Sequence, residues 1–157
     1  MASFQELQEA IDLLRNNGCN QICMLKCTSA YPAKPGDANL ITMKDMAKKF
    51  NVVTGLSDHT LGIEVPITSV ALGGCVIEKH FTLNRGSKGT DNAFSLEPQG
   101  FQKMIRDISR AQISLGDGIK KQYESETEPM RKMATSIRAA SSLNKNHTLS
   151  EEDLVFR

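Results

Sequence analysis

Two histidines stand just after short apolar runs and are placed to bring two imidazoles into one pocket. His59 follows "VVTGLSD" and His80 follows "CVIEK". Imidazole is the commonest side-chain metal ligand, and two imidazoles with oxygen donors from water or substrate suit Mn²⁺ or a related transition ion better than Ca²⁺. The pattern predicts a shared divalent-metal site. The simpler alternative is a pair of hydrogen-bonded structural histidines.

Further polar side chains accompany these histidines. Glu78 lies two residues before His80, so alternation along a strand places both on one face. Glu78 is therefore a candidate general base or the partner of a metal-bound water, and its alternative role is a salt bridge with Lys79. The segment "SDHT", residues 57–60, puts four polar groups where an α/β sheet carries its functional residues.

The chain predicts a scaffold that brings such strand ends together. Apolar, β-branched runs predict three strands, and capped segments with apolar residues at helical spacing predict four helices. The expected strands cover residues 21–27, 51–57 and 75–81, and the expected helices cover residues 3–18, 38–50, 63–74 and 98–116. Strands that alternate with helices pair in parallel, so the fold class is α/β. The polar segments "TSAY", "SDHT" and "EKHF" then face one another at one edge of the sheet.

Composition excludes several classes of function. The 157 residues are 39% hydrophobic and 24% charged, as in a globular domain. A net charge of +1 and 5% aromatic residues disfavour nucleic acid and membrane surfaces as partners. No signal peptide or membrane span is expected. The four cysteines predict reduced thiols in the cytoplasm, and packing explains Cys19, Cys23 and Cys27 better than a zinc site does.

Two polar segments carry weaker signals. The loop "NRGSKGTDNAF", residues 84–94, contains glycines, basic residues and Asp91, and is either a mobile loop or a cover for a polyhydroxy or anionic substrate. His147 lies in a polar turn and is expected to be solvated, while "SEED", residues 150–153, is expected to cap a helix.

Four motifs stand out along the chain: "LKCTSAYPA", "GLSDHTLGIEVPITSVALGG", "VIEKHFTLNR" and "DNAFSLEP". In their order and spacing they resemble the sialic acid synthase family, whose members condense phosphoenolpyruvate with an N-acetylated amino sugar to make a nonulosonic acid. Within the family, "KCTSAYPA" and "NAFSLEP" are most similar to pseudaminic acid synthases. N-acetylneuraminate synthases and legionaminic acid synthases are the alternatives.

The resemblance implies roles for individual residues. It makes His59 and His80 ligands of a catalytic divalent metal, typically Mn²⁺ with Mg²⁺ or Co²⁺ as alternatives, which polarises the sugar aldehyde. Glu78 would be a catalytic group close to the metal and its water. The implied substrate contacts are Ser29 and Ser57 to phosphoenolpyruvate, and Tyr31 and Asp91 to the amino sugar. Ser29 stands where many relatives have asparagine.

The same resemblance implies a domain organisation. Residues 1–118 resemble the C-terminal part of a (β/α)₈ TIM barrel, with about three strands and four helices. Residues 119–134 are expected to be a linker, and residues 135–157 the start of a small antifreeze-like (SAF) domain. Such a chain is expected to be inactive alone and to expose a sheet edge that an N-terminal half covers. The resemblance also implies that the full-length protein is a homodimer. A non-catalytic half-barrel that binds metal or sugar is the alternative interpretation.

Overall fold

The computed structural model describes all residues, Met1–Arg157, and divides them into two compact units, Met1–Asp117 and Gly118–Arg157. The first unit has the predicted order of four helices and three strands, each slightly shorter than expected. Its helices are α1 (Phe4–Asn16), α2 (Thr42–Phe50), α3 (Glu64–Ala71) and α4 (Pro98–Leu115), and its strands are β1 (Cys23–Cys27), β2 (Val53–Asp58) and β3 (Ile77–Lys79).

The three strands form one parallel sheet in the order β1-β2-β3. Ser57 pairs with Glu78 and Asp58 with Lys79, so the carboxyl ends of β2 and β3 are level. Helices α2 and α3 make the crossovers between consecutive strands, as parallel pairing requires. The α/β class is therefore confirmed, and the arrangement fits part of a (β/α)₈ barrel.

A glycine allows β2 to lie close to the segment that leads into β3. A Cβ atom at Gly55 would be 2.4 Å from the Val76 carbonyl oxygen and 2.7 Å from Leu25 Cδ2. Both distances are shorter than van der Waals contact, so a larger residue would push the strands apart. Next to it, the Leu56 N–H donates to the Val76 carbonyl at 2.8 Å. Gly55 thus helps to set the spacing of the two strands that carry the site.

Helix α1 begins at the predicted cap and packs on α2. Ser3 and Glu6 form a capping box, in which the Ser3 N–H donates to Glu6 Oε2 at 2.6 Å. This hydrogen bond is the main reason that the pKa of Glu6 is lowered. Ile11 from α1 joins Met46 and Phe50 from α2 in a buried apolar cluster. The Arg15 guanidinium donates to the Phe50 carbonyl at 2.8 Å and closes the far end of this contact.

The second unit contains helix α5 (Thr127–Met133) and an antiparallel pair of short strands, β4 (Ile137–Ala139) and β5 (Leu154–Phe156). Helix α5 lies within residues 119–134, where sequence analysis predicts a linker. The acidic segment after Ser150 forms only a single 3₁₀ turn, Glu151–Asp153, instead of a longer helix. His147 is exposed, as predicted, and its Nε2 lies 2.8 Å from Asp153 Oδ2.

All four cysteines are free thiols, as predicted. The expectation that packing accounts for the first three is wrong for Cys19 and Cys23, which are exposed. Cys23 belongs to β1, an edge strand of the sheet, so one side of its strand has no neighbour in this unit. None of the helices combines the length and the apolar character needed to cross a bilayer.

Candidate functional site

His59 occupies the first position after β2 and is held from behind by a backbone carbonyl. Its side chain is buried, and Nδ1 lies 2.9 Å from the Thr28 carbonyl oxygen. A carbonyl only accepts hydrogen bonds, so Nδ1 carries the proton in this contact. In the neutral ring, the lone pair is then on Nε2. Thr28 thus selects the tautomer that leaves one nitrogen able to bind an electrophile.

His80 occupies the equivalent position after β3, and its ring lies against that of His59. The two ring centroids are 5.2 Å apart, as the prediction of one shared pocket requires. The Tyr31 ring is tilted against that of His59, with centroids 4.3 Å apart, and its centroid lies 5.9 Å from that of His80. The Phe94 and His80 ring centroids are 5.1 Å apart. Phe94 is buried and Tyr31 is 54% exposed, so Phe94 supports the cluster and Tyr31 borders its opening.

Asp91 approaches the same cluster from the loop that precedes α4. Its Oδ2 lies 3.6 Å from His80 Nδ1. The loop is held at both ends by its own polar side chains, since Arg85 Nε donates to the Ala93 carbonyl at 2.9 Å and the Asn92 amide donates to the Ser87 carbonyl at 3.3 Å. The loop therefore presents Asp91 to His80.

Ser57 and Glu78 form a second pair on the same edge. The Ser57 hydroxyl donates to Glu78 Oε1 at 2.6 Å, across the register pair that joins β2 to β3. The alternative reading of Glu78, a salt bridge with Lys79, is wrong, because Lys79 binds Asp58 instead. Glu78 is exposed and Ser57 is buried, so the carboxylate faces the opening and the hydroxyl fixes its orientation.

Ser29 joins the site through a thiol. Cys27 Sγ lies 3.8 Å from Ser29 Oγ and 4.0 Å from His59 Nδ1. Contacts at these distances to sulfur are weak, so they show proximity more than they add stability. All seven predicted site residues consequently lie at one edge of the sheet. They form a ring cluster with Asp91, a Ser57–Glu78 pair, and Ser29 beside Cys27.

The prediction that all four residues of "SDHT" line the site is wrong for two of them. Alternation along the strand puts Asp58 and Thr60 on the face opposite to Ser57 and His59. There the Asp58 carboxylate accepts the Thr60 N–H and hydroxyl, both at 3.1 Å, and forms an ion pair with Lys79 at 2.5 Å. These side chains are almost completely buried and lie behind the site instead of in it.

The donor set suits an ion that takes part of its coordination from water or substrate. No three His, Cys, Asp or Glu side chains converge on one point anywhere in the chain. Two imidazoles do converge, and His59 has Nε2 available for an ion at the usual distance of about 2.1 Å. Open positions are typical of catalytic metals, whereas structural metals are fully enclosed by protein ligands. The residues present therefore fit a catalytic ion held by His59 and His80.

Sequence reasoning missed three residues that organise this site. Thr28 acts through its main-chain carbonyl, which leaves no signal in residue type. Phe94 could have been found as the apolar residue that closes the polar loop. Lys79 carried the clearest signal, because a lysine that ends a short apolar run requires a partner where it is buried, and Asp58 occupies the matching place on the neighbouring strand.

Comparisons with known proteins agree on one family. Residues 1–120 match the sequence profile described as "NeuB family". The chain is 40% identical, over its full length, to N,N'-diacetyllegionaminic acid synthase of Campylobacter jejuni, and covers 48% of that protein. It is 38% identical over 98% of its length to pseudaminic acid synthase of Helicobacter pylori, and covers 45% of that protein.

A solved structure shows the same fold. N-acetylneuraminic acid synthetase from Leptospira borgpetersenii, crystallised with citrate, superposes with a TM-score of 0.73 at 33% identity. The match covers 84% of this chain and 46% of that one. The chain thus spans about half the length of the relatives it matches.

Proposed function

This chain belongs to the NeuB family, and from that premise we propose that it forms the metal-binding part of the active site of a nonulosonic acid synthase. The proposed reaction joins phosphoenolpyruvate to an N-acetylated amino sugar. The observation that carries the proposal is the convergence of His59 and His80, with ring centroids 5.2 Å apart, beside the other predicted site residues. The names of the relatives support a synthase of the sialic-acid type.

In the proposed reaction, the enol carbon of phosphoenolpyruvate bonds to the aldehyde carbon of the open-chain sugar, whose oxygen becomes a hydroxyl. Water then adds to the cationic carbon left behind, and phosphate leaves. A divalent ion bound here supplies Lewis-acid polarisation of the aldehyde oxygen. Mn²⁺ is the ion we expect, with Mg²⁺ and Co²⁺ as alternatives.

The protein residues orient the reacting groups and exchange protons with them. Thr28 keeps the proton of His59 on Nδ1, which directs Nε2 to the ion. Ser57 fixes the Glu78 carboxylate, which we assign as the acceptor of the proton released by the added water. Tyr31 and Asp91 border the opening, where they are placed to contact the hydroxyl and amide groups of the sugar. We assign the Ser29 and Ser57 hydroxyls to phosphoenolpyruvate as hydrogen-bond donors, and Ser57 would donate to the bound substrate in place of Glu78.

We propose a pseudaminic acid precursor as the sugar, on the strength of "KCTSAYPA" and "NAFSLEP". Relatives named for legionaminic and pseudaminic acid match at 40% and 38% identity, so overall similarity does not separate the two sugars. A legionaminic acid or N-acetylneuraminate precursor is the alternative. Turnover assays with each sugar decide between them.

The rest of the assembly belongs to the same proposal. We expect residues 135–157 to begin an antifreeze-like domain, an N-terminal half to supply the remaining strands, and the complete enzyme to be a homodimer. A cytoplasmic location agrees with four free thiols. Because this chain spans about half the length of the relatives it matches, we expect it to bind metal without turnover when it is tested alone.

The test is Mn²⁺ titration of the wild-type chain and of His59→Ala and His80→Ala, with turnover measured in the same samples. His147→Ala is a matched control, since His147 lies in the second unit and pairs with Asp153. We expect either site substitution to weaken Mn²⁺ binding by at least about tenfold, and the control to have no effect. Equal binding by all four proteins would remove the metal site. The chain could bind Mn²⁺ and still show no turnover after an N-terminal half is added. That result would favour the non-catalytic half-barrel.

A further inference from the structure

One ammonium group connects the two segments that carry the site histidines. Lys79 Nζ lies 2.5 Å from Asp58 Oδ2 and 2.5 Å from the Thr60 carbonyl oxygen. Asp58 is the residue immediately before His59, and Thr60 is the residue immediately after it. Lys79 itself immediately precedes His80. The lysine therefore holds the backbone on both sides of one histidine from the position next to the other.

The connection lies where the sheet gives no further support. Asp58 with Lys79 is the last register pair between β2 and β3, so both histidines lie beyond the ladder. Each histidine also has a backbone contact on its outer side, because the Ala33 N–H donates to the His59 carbonyl at 2.9 Å and the Leu96 N–H donates to the His80 carbonyl at 2.8 Å. Those contacts fix each histidine to a different loop. The Lys79 side chain is what joins one histidine segment to the other on the face behind the site.

The environment of this lysine argues for a geometric role. The Lys79 and Asp58 side chains are each only 2% exposed. Taking two charges out of water costs more than most ion pairs return, and well-packed apolar residues of similar volume often give equal or greater stability. An ion pair that is buried this deeply is therefore poorly explained by stability alone. What it provides, and apolar packing does not, is directional contact to the Asp58 carboxylate and the Thr60 carbonyl.

We propose that Lys79 is a positioning residue, whose buried ammonium sets the separation of the His59 and His80 imidazoles. The inference rests on the proposed function only in that the pair is taken to bind a divalent ion. Lys79 does not contact the ion or the substrate, because it lies on the opposite face of its strand. Its effect is exerted through the backbone that carries the two rings.

The experiment compares Lys79→Met with Lys48→Met, which removes the same charge from an exposed position on α2. Because Lys79→Met leaves Asp58 buried and unpaired, the double variant Asp58→Asn/Lys79→Met is made in parallel, so that a folded protein without the ammonium is available. Two quantities are measured in the full chain: the nuclear Overhauser effect between the ring protons of His59 and His80 without metal, and the Kd for Mn²⁺. Far-UV circular dichroism checks the fold.

We expect the ring–ring signal to be lost and the Mn²⁺ Kd to rise by at least about tenfold in the folded variants that lack Lys79, with Lys48→Met unchanged. A folded variant without Lys79 that keeps both the ring–ring signal and an Mn²⁺ Kd within about twofold of wild type, the margin set by ordinary context effects, would overturn the inference. If the wild-type chain binds no Mn²⁺, the metal part of the proposed function fails, and the ring–ring signal alone then decides whether Lys79 positions the two histidines.

Discussion

Asp58 in the first unit and Asp153 in the second each contact a backbone N–H, a hydroxyl and a side-chain nitrogen, in very different surroundings. Asp58 accepts a backbone N–H and a hydroxyl from Thr60 and the ammonium of Lys79, with its side chain 2% exposed. Asp153 accepts a backbone N–H and a hydroxyl from Ser150 and lies 2.8 Å from an imidazole nitrogen, with its side chain 19% exposed. Donor chemistry is thus nearly constant, and burial is the variable.

Burial changes how each ionic contact responds when a partner is lost. Water screens the exposed group and can replace any partner that it loses, so its contribution is small and adjustable. No water is available to compensate the buried group, so loss of the Lys79 ammonium leaves a buried carboxylate without an opposite charge. We therefore expect the Asp58 contact to be either intact or absent together with its part of the fold. We expect the Asp153 contact to respond gradually to solution conditions.

The largest predicted effect is on the stability of the first unit. Lys79→Met is expected to lower the free energy of unfolding by about 3–5 kcal/mol, because it leaves the Asp58 carboxylate buried and unpaired. The counterpart His147→Ala is expected to leave the unfolding of the first unit unchanged. Urea denaturation followed by circular dichroism measures both.

The double variant sharpens this prediction. Asp58→Asn/Lys79→Met removes both charges, so it is expected to be more stable than Lys79→Met alone. The loss of unfolding free energy in the double variant could instead equal the sum of the losses in Asp58→Asn and Lys79→Met. The two side chains would then act independently, and the contrast between buried and exposed carboxylates would fail.

The sequence was sufficient for the scaffold because the scaffold depends on local patterns. The capping box of Ser3 and Glu6, the apolar runs of the three strands and the glycine after α4 each mark an element directly. A helix between consecutive strands is long enough for a crossover connection, so the alternation predicts parallel pairing. The positions of His59 and His80 follow from two strand ends that are level in one sheet.

The contacts that refine the site were out of reach because they depend on atoms that the sequence does not distinguish. The Thr28 carbonyl is present whatever residue occupies that position. The side of the sheet on which Asp58 lies depends on where β2 ends. Because the strand extends to Asp58, the side chains alternate as far as His59. Strand ends are the part of a sequence pattern that is hardest to predict.

A smaller effect is predicted for the hydroxyl donors of the two carboxylates. Thr60→Val keeps the shape of a buried side chain but removes its hydrogen bond to Asp58, which is expected to cost about 1.5–3 kcal/mol. Ser150→Ala removes the equivalent donor to Asp153 and is expected to cost less, since water can take its place. Thermal unfolding of each variant beside wild type measures the difference. Equal losses would contradict the role given to burial.

The smallest predicted effect is a pH response confined to the second unit. Hydrogen bonds from His147 and then from Ser150 lower the pKa of Asp153 in the folded chain. A carboxyl group with a lowered pKa stabilises the fold above its unfolded pKa of about 3.9, and this stabilisation is lost as pH falls through the folded pKa. Amide chemical shifts of β4 and β5, followed from about pH 5 downward, are therefore expected to change, and Asp153→Asn should abolish most of that change. If the amide shifts of wild type and Asp153→Asn change alike with pH, Asp153 is not the group that responds. The expectation that its contacts adjust to pH would then be wrong.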